Sequence, residues 1–139
     1  MNNLNYGVIG NCRSAALVSE RGSIDWCCLP DFDSPSIFAK LIDNVKGGFF
    51  SVEVDDKYII SQKYLIWTNV LITEFKSDGG TFEVIDFMPR YKIADNSYFA
   101  PAEIYRYLKY ISGSPSFRVK YSPAQKKESG PRSGNASGS

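Results

Sequence analysis

The chain has 139 residues, which is the length of one domain or of one domain with a tail. Hydrophobic residues make up 43% of it, enough to bury a core, and the net charge of +1 gives no overall field that would attract nucleic acid or an anionic membrane. The sequence has no run of about 18 apolar residues and no secretory signal at its start. We therefore expect a cytoplasmic protein that does not cross a membrane.

Histidine is absent from the sequence, which excludes histidine-based catalytic triads and histidine-ligated zinc. The three cysteines are Cys12, Cys27 and Cys28, an odd number without the two-residue gap of zinc or redox motifs. Three buried thiols in a reducing compartment are the simplest interpretation. We expect no metal site and no cofactor.

In chain order, the sequence predicts short strands separated by turns. The predicted strands are 6–9, 15–19, 24–29, 49–54, 58–66, 69–76, 81–88, 104–111 and 117–121. Alternation places Phe50, Val52 and Val54 on one face of the 49–54 strand. The turn sequence SDGG at 77–80 predicts a hairpin between its flanking strands, and SGSP at 112–115 predicts a second one.

One segment, residues 34–42, has the pattern of a helix. Ser34 supplies an N-cap oxygen, Pro35 suits the first helical position, and apolar residues at 37, 38, 41 and 42 follow at helical spacing. Strands with one short helix predict an all-β fold, an antiparallel β-sandwich or a barrel-like variant, over residues 1–121. Residues 122–139 contain no Val, Ile, Leu or aromatic residue, which predicts a disordered tail.

Without histidine, hydrolytic chemistry falls to carboxylates, which work in pairs in glycoside hydrolysis. Asp25, Asp31 and Asp33 lie close in sequence to Trp26 and Phe32, and carboxylates beside aromatic rings are also typical of sugar binding. The alternatives are that these aspartates cap backbone amides in loops and that the tryptophan belongs to the core.

Five blocks of the sequence occur in an order that points to a known family. They are YGVIGNCRSAALVS (6–19), GSIDWCCLP (22–30), FDSPSIFA (32–39), KGG (46–48) and DFMP (86–89). Together they closely resemble the opening of glucoamylase/trehalase-like glycoside hydrolases of family 15, over about residues 6–123. Two positions depart from the family: Asn11 stands where aspartate is frequent, and Asp31 where a basic residue is common.

The resemblance implies a supersandwich-like β-sandwich domain that precedes a catalytic (α/α) barrel carrying two glutamates. Twelve helices with their connections need roughly 190 residues, so the barrel is not in this chain. We expect an excised domain or truncated product that is inactive alone, whereas the intact enzyme would hydrolyse an α-glucoside or trehalose with inversion. The resemblance places these residues on the barrel-facing side or substrate entrance: Arg13, Asp25, Trp26, Phe32, Asp33 and Ser34.

Two other functions are open on the sequence alone. One is a freestanding carbohydrate-binding module that uses Trp26, Phe32 or Trp67 as sugar platforms, and the other is a bare interaction domain. An uncovered sheet edge or barrel-facing patch predicts a homodimer of the isolated chain. Shielding of the edge by lysines such as Lys109 and Lys120 would instead give a monomer.

Overall fold

The computed structural model of the chain describes residues 5–124. The strands are β1 (Tyr6–Gly10), β2 (Ala15–Ser19), β3 (Ile24–Cys28), β4 (Ser36–Phe38), β5 (Phe49–Glu53), β6 (Ile59–Tyr64), β7 (Leu71–Ser77), β8 (Gly80–Phe87), β9 (Tyr91–Lys92), β10 (Tyr98–Phe99), β11 (Tyr105–Gly113) and β12 (Arg118–Ser122). Within the described range, the only helical segment is a 3-10 turn, Ala94–Asn96.

The strands form two main sheets with antiparallel pairing throughout. The six-stranded sheet has the order β1-β2-β3-β5-β12, with β4 also paired to β3, and the four-stranded sheet has the order β11-β8-β7-β6. A short ribbon, β9 with β10, stands apart from both. This architecture confirms the predicted all-β antiparallel sandwich.

The core lies between the two sheets and consists of two clusters. The larger one packs side chains of β1 to β4 against Leu71 and Met88, and the smaller one packs Val52 against Phe75, Phe82 and Val84. The predicted alternation on β5 is confirmed, since its inward residues all contact one of these clusters. Strand periodicity thus determines which side chains are inside.

The predicted helix over residues 34–42 is wrong. Residues 36–38 form β4, and Phe38 pairs with Cys27 of β3 and is 4% exposed in the core. The Ser34 hydroxyl does not cap a helix; it accepts the Asp31 N–H at 3.1 Å and closes a turn. Pairing with a neighbouring strand, which the local pattern cannot show, overrides the helical spacing.

The predicted hairpin at 77–80 is confirmed, since Ser77 pairs with Gly80. The second predicted hairpin is wrong, because β11 pairs with β8 and β12 pairs with β5 in the opposite sheet. Gly113 takes a φ of 70°, and the Ser114 N–H donates to the Gly79 carbonyl at 2.8 Å. The connection therefore crosses from one sheet to the other.

The expectation for the cysteines agrees with the structure only in part. Cys27 and Cys28 are buried as predicted, but Cys12 is exposed in the loop after β1, so the expectation of three buried thiols is wrong.

β12 extends to Ser122, and the Ala124 N–H donates to the Ile37 carbonyl at 2.8 Å. The remainder of the predicted tail lies outside the described residues. Across 5–124, no helix has the length and apolar character needed to cross a membrane.

Candidate functional site

Four connections gather at one end of the sandwich, which we call the loop end. They are residues 11–14, 29–35, 65–70 and 88–104. Antiparallel pairing brings them there, since β1, β3, β6 and β8 all finish at the same end. The opposite end, which carries the tight turn between β2 and β3 and the hairpin at 77–80, is called the turn end.

Asn11 organises the loop end from the inside. It is 2% exposed, its Oδ1 accepts the N–H groups of Arg13 at 3.0 Å and Ser14 at 2.9 Å, and its Nδ2 donates to the Pro101 carbonyl at 3.1 Å. One side chain therefore fixes its own loop and joins it to the connection after β8. An asparagine can donate and accept at once, which an aspartate at this position could not do when ionised.

Arg13 and Asp31 form an ion pair on the surface of the loop end. The Arg13 Nε lies 2.6 Å from the Asp31 Oδ1, and the Arg13 Nη1 donates to the Ala100 carbonyl at 3.3 Å. The hydrogen bond and negative charge of Asp31 raise the pKa of Arg13. Arg13 therefore binds a carboxylate while it stays exposed, and Asp31 is itself held in its turn by Ser34.

The loop end also carries several exposed apolar side chains. Phe32 is 57% exposed, and Trp67, which has a φ of 63°, is 99% exposed. Other exposed apolar residues of the loop end are Leu65, Ile66, Tyr91, Ile93, Tyr98 and Phe99. Phe32 shares a cavity of about 420 Å³ with Cys12 and Thr68, so the loops at 11–14, 29–35 and 65–70 form one surface.

The connection after β8 joins the same surface. The Arg90 Nη1 donates to the Cys12 Sγ at 3.1 Å, and the Arg90 guanidinium lies 4.2 Å from the centre of the Tyr98 ring. The sequence pointed to Asn11 only as a departure from the family, and it did not point to this segment. The aromatic residues near 91–99 of this connection could have indicated a candidate surface. Nothing in the local pattern predicted that they would contact the loop after β1.

Asp25 and Trp26 lie on β3, behind the loop end. Trp26 is half-buried, and Asp25 is 6% exposed, accepting hydrogen bonds from the Tyr6 hydroxyl at 3.0 Å and the Ser23 hydroxyl at 2.5 Å. Burial, followed by the hydrogen bond to this carboxylate, raises the pKa of Tyr6 to about 12. The structure therefore brings Arg13, Phe32, Asp33 and Ser34 to the loop end and separates Asp25 from them.

The carboxylates do not form a catalytic pair. Asp25 binds side chains at the turn end of β3, whereas Asp31 binds Arg13 beyond the other end of the same strand. Both bind side chains, so backbone capping is not their role. Residues 5–124 also contain no group of three or more side chains arranged to hold a metal ion. The geometry suits a surface that is covered by another molecule.

Fold and loop end together define an antiparallel β-sandwich domain with a group of exposed apolar side chains at one end. The sequence profile of the family described as "Trehalase-like, N-terminal" matches residues 5–130, and the chain belongs to this family. No solved structure matches the chain at a significant level.

Several individual relatives are trehalases. Trehalase 1 of Sulfolobus acidocaldarius is 51% identical over 83 residues, which cover 60% of this chain and 14% of that protein. A trehalase of Thermoplasma volcanium is 36% identical over 122 residues, 85% of this chain and 19% of that protein. A trehalase of Thermoplasma acidophilum is 34% identical over 111 residues, 78% and 19% respectively. The chain thus spans less than a fifth of the length of these relatives.

Proposed function

We propose that the chain is a non-catalytic domain of a cytoplasmic, trehalase-like α-glucoside hydrolase, and that its loop end packs on the catalytic (α/α) barrel and shapes the substrate entrance. The observation that carries this proposal is the group of exposed apolar side chains at the loop end, with Trp67 at 99% exposure. Large apolar side chains that are exposed together on a protein surface typically mark an interface.

The composition of the loop end supports an interface with another protein surface. Large aromatic side chains supply contact area at low entropic cost, and Arg13 with Asp31 adds a polar pair at the rim. Arg13, Phe32, Asp33 and Ser34 are proposed to face the barrel directly. Asp25 and Trp26 support this surface from behind through β3.

The proposal is tested with Trehalase 1 of Sulfolobus acidocaldarius from which the matched 83-residue segment has been deleted. Mixed with this chain, the deleted enzyme is expected to form a complex and to recover trehalose hydrolysis, while this chain alone releases no glucose. Trp67→Ser and Phe32→Ser should each weaken the complex at least tenfold, as expected for interface hot spots.

The matched control is Tyr107→Ser, which removes an aromatic ring that is 60% exposed but lies on β11, away from the loop end. It should leave the complex unchanged. Equal affinity of the Trp67→Ser and wild-type chains, or glucose release by the chain alone, would contradict the proposal.

A carbohydrate-binding module is the second candidate, because Phe32 and the loop carrying Trp67 border an open cavity. Trp26 is half-buried and is a poor platform. Isothermal titration with maltotriose and trehalose separates the two candidates. Binding that is abolished by Trp67→Ser favours the module, whereas the docking domain binds neither sugar at the loop end.

The isolated chain is also proposed to self-associate, because its loop end lacks its natural cover. Sedimentation velocity should show a species heavier than the monomer mass of 15.6 kDa as concentration rises. Trp67→Ser should shift the equilibrium toward monomer, and Tyr107→Ser should not. A single monomeric species up to high micromolar concentration would show that the loop end does not attract a second copy.

A further inference from the structure

A second cavity, of about 480 Å³, lies at the turn end of the sandwich. It is bounded by the start of β1, the turn between β2 and β3, and β5. Its size falls within the range of small-ligand pockets. It does not belong to the loop end, and the docking role proposed above does not use it.

The floor of this cavity is made of buried polar groups that are incompletely bonded. Ser51 is 5% exposed, and its hydroxyl has no hydrogen-bond partner within the described part of the chain. Asp25 is 6% exposed and accepts hydrogen bonds only from Tyr6 and Ser23 there. An ionised carboxylate offers about four acceptor positions, so roughly two are unused. Burial of polar atoms whose hydrogen-bonding capacity is unused is unfavourable, which makes a bound donor favourable.

The rim of the cavity supplies donors as well as acceptors. Arg21 and Lys40 line it together with Glu20 and Glu53, and Lys120 holds Glu53 at 3.0 Å. With Lys120 counted, three basic groups stand against the three acidic groups Glu20, Glu53 and Asp25, so a free ion gains little there. A ligand must instead donate to the floor and accept from the rim, and a hydroxyl group does both.

We propose that the turn-end cavity binds a neutral polyhydroxyl molecule, a hexose or a disaccharide, whose hydroxyls bond to Asp25 and Ser51 at the floor and to Lys40 and Arg21 at the rim. Tyr6 forms part of the wall beside the carboxylate. This site is distinct from the aromatic platforms at the loop end, and it holds whether or not the loop end docks on a barrel.

The test is a titration of the ¹⁵N-labelled chain with glucose and with trehalose, followed by amide chemical shifts. Saturable shifts are expected at residues 19–25 and 51–53. Ser51→Ala should weaken binding about threefold to tenfold, the value of one hydrogen bond, and Asp25→Asn about tenfold or more. Ser61→Ala, an exposed serine on β6 outside the cavity, is the matched control and should bind like the wild type.

The effect of Ser51→Ala on stability gives a second test, because loss of a serine with a purely structural role would lower the denaturation midpoint. Removal of an unpartnered buried hydroxyl should leave the denaturation midpoint of the free chain unchanged or raise it. A lower midpoint would mean that Ser51 has a structural partner and would overturn the proposal, even if Asp25→Asn fails to fold.

The remaining outcomes decide against the proposal as well. Sugar-induced shifts confined to residues near Phe32 and Trp67 would place carbohydrate at the loop end only. Saturable shifts with sodium or calcium chloride but not with sugars would identify a cation site. The absence of saturable shifts at high millimolar sugar would show that the cavity holds only water.

Discussion

The two flanks of the sandwich are closed to different degrees. On the closed flank, formed by β1 and β6, the Tyr64 hydroxyl accepts the Val8 N–H at 2.8 Å and donates to the Val8 carbonyl at 3.0 Å. Gln62 adds a bond from its Nε2 to the Ser19 carbonyl at 2.7 Å. Side chains of one sheet thus satisfy the backbone of the other.

On the open flank, formed by β11 and β12, no such bonds join the two edge strands among the described residues. The inward side chains there stay exposed: Leu108 38%, Tyr110 65%, Val119 47% and Tyr121 63%. The register partners of Leu108, Tyr110 and Val119 are Val84, Phe82 and Val52, which are 0–5% exposed, and Phe50, the partner of Tyr121, is half-buried. An inward position is therefore buried only where another strand or side chain covers it.

The largest expected effect separates a core aromatic residue from an open-flank one. Phe75 is fully buried and stacks on Phe82 at 4.7 Å, so Phe75→Ala should lower the free energy of unfolding by about 3–5 kcal/mol. Tyr110→Ala removes a ring of similar size on the open flank and should cost about 1 kcal/mol or less. Urea denaturation of both variants measures the difference, and equal losses would show that the open flank is covered in solution.

Arg106 is the exception on the open flank, because it joins β11 to the opposite sheet. Its guanidinium forms two bonds with the buried Asp86, at 2.7 and 3.0 Å, and donates to the carbonyls of Phe50 and Gly22. Arg106→Met leaves a buried carboxylate without its partner and should destabilise the chain by about 3–5 kcal/mol. The double variant with Asp86→Leu should recover most of the loss, which denaturant unfolding can measure.

The pH dependence of Arg106→Met provides an internal control. Burial raises the pKa of Asp86, and Arg106 opposes that effect in the wild type. Without the arginine, the folded pKa stands further above the unfolded one, so the stability penalty of the substitution is smallest below the ordinary aspartate pKa and grows as pH rises. A penalty that does not change with pH would mean that Asp86 is solvated after the substitution.

The smallest expected effect concerns the bond that closes the other flank. Tyr64→Phe removes the hydroxyl that binds Val8 and should cost about 0.5–1.5 kcal/mol. The matched control is Tyr107→Phe, whose hydroxyl makes no hydrogen bond within residues 5–124 and whose loss should stay within about 0.5 kcal/mol. Thermal unfolding of the two variants compares them, and indistinguishable midpoints would show that the closed flank does not depend on this bond.

Most strands of this fold follow from sequence patterns, because alternation and turn residues are local. Ala15–Ser19 is predicted to the residue, and the DGG turn gives the β7–β8 hairpin. The errors come from pairing between distant segments. Residues 36–38 have an ambiguous apolar spacing that β3 resolves, and the turn at 112–115 looks like a hairpin although its flanking strands enter different sheets.

The loop end was predictable only in part. The resemblance to family 15 indicated Arg13, Phe32, Asp33 and Ser34, and the structure brings them together. It did not indicate that Asn11 would tie its loop to Pro101, because that bond links residues 90 positions apart. The burial of Asp25 could not be predicted from the sequence either, since it depends on Tyr6, which lies on another strand and precedes it by 19 residues.

The two tryptophans lie in different environments, so intrinsic tryptophan fluorescence can report whether the loop end is covered. Trp67 is 99% exposed at the loop end, while Trp26 is half-buried on β3. Iodide in solution should quench the emission of Trp67 and leave most of that of Trp26. Any molecule that covers the loop end shields Trp67 and restores its emission, so occupancy of that surface can be followed in real time without attaching a dye.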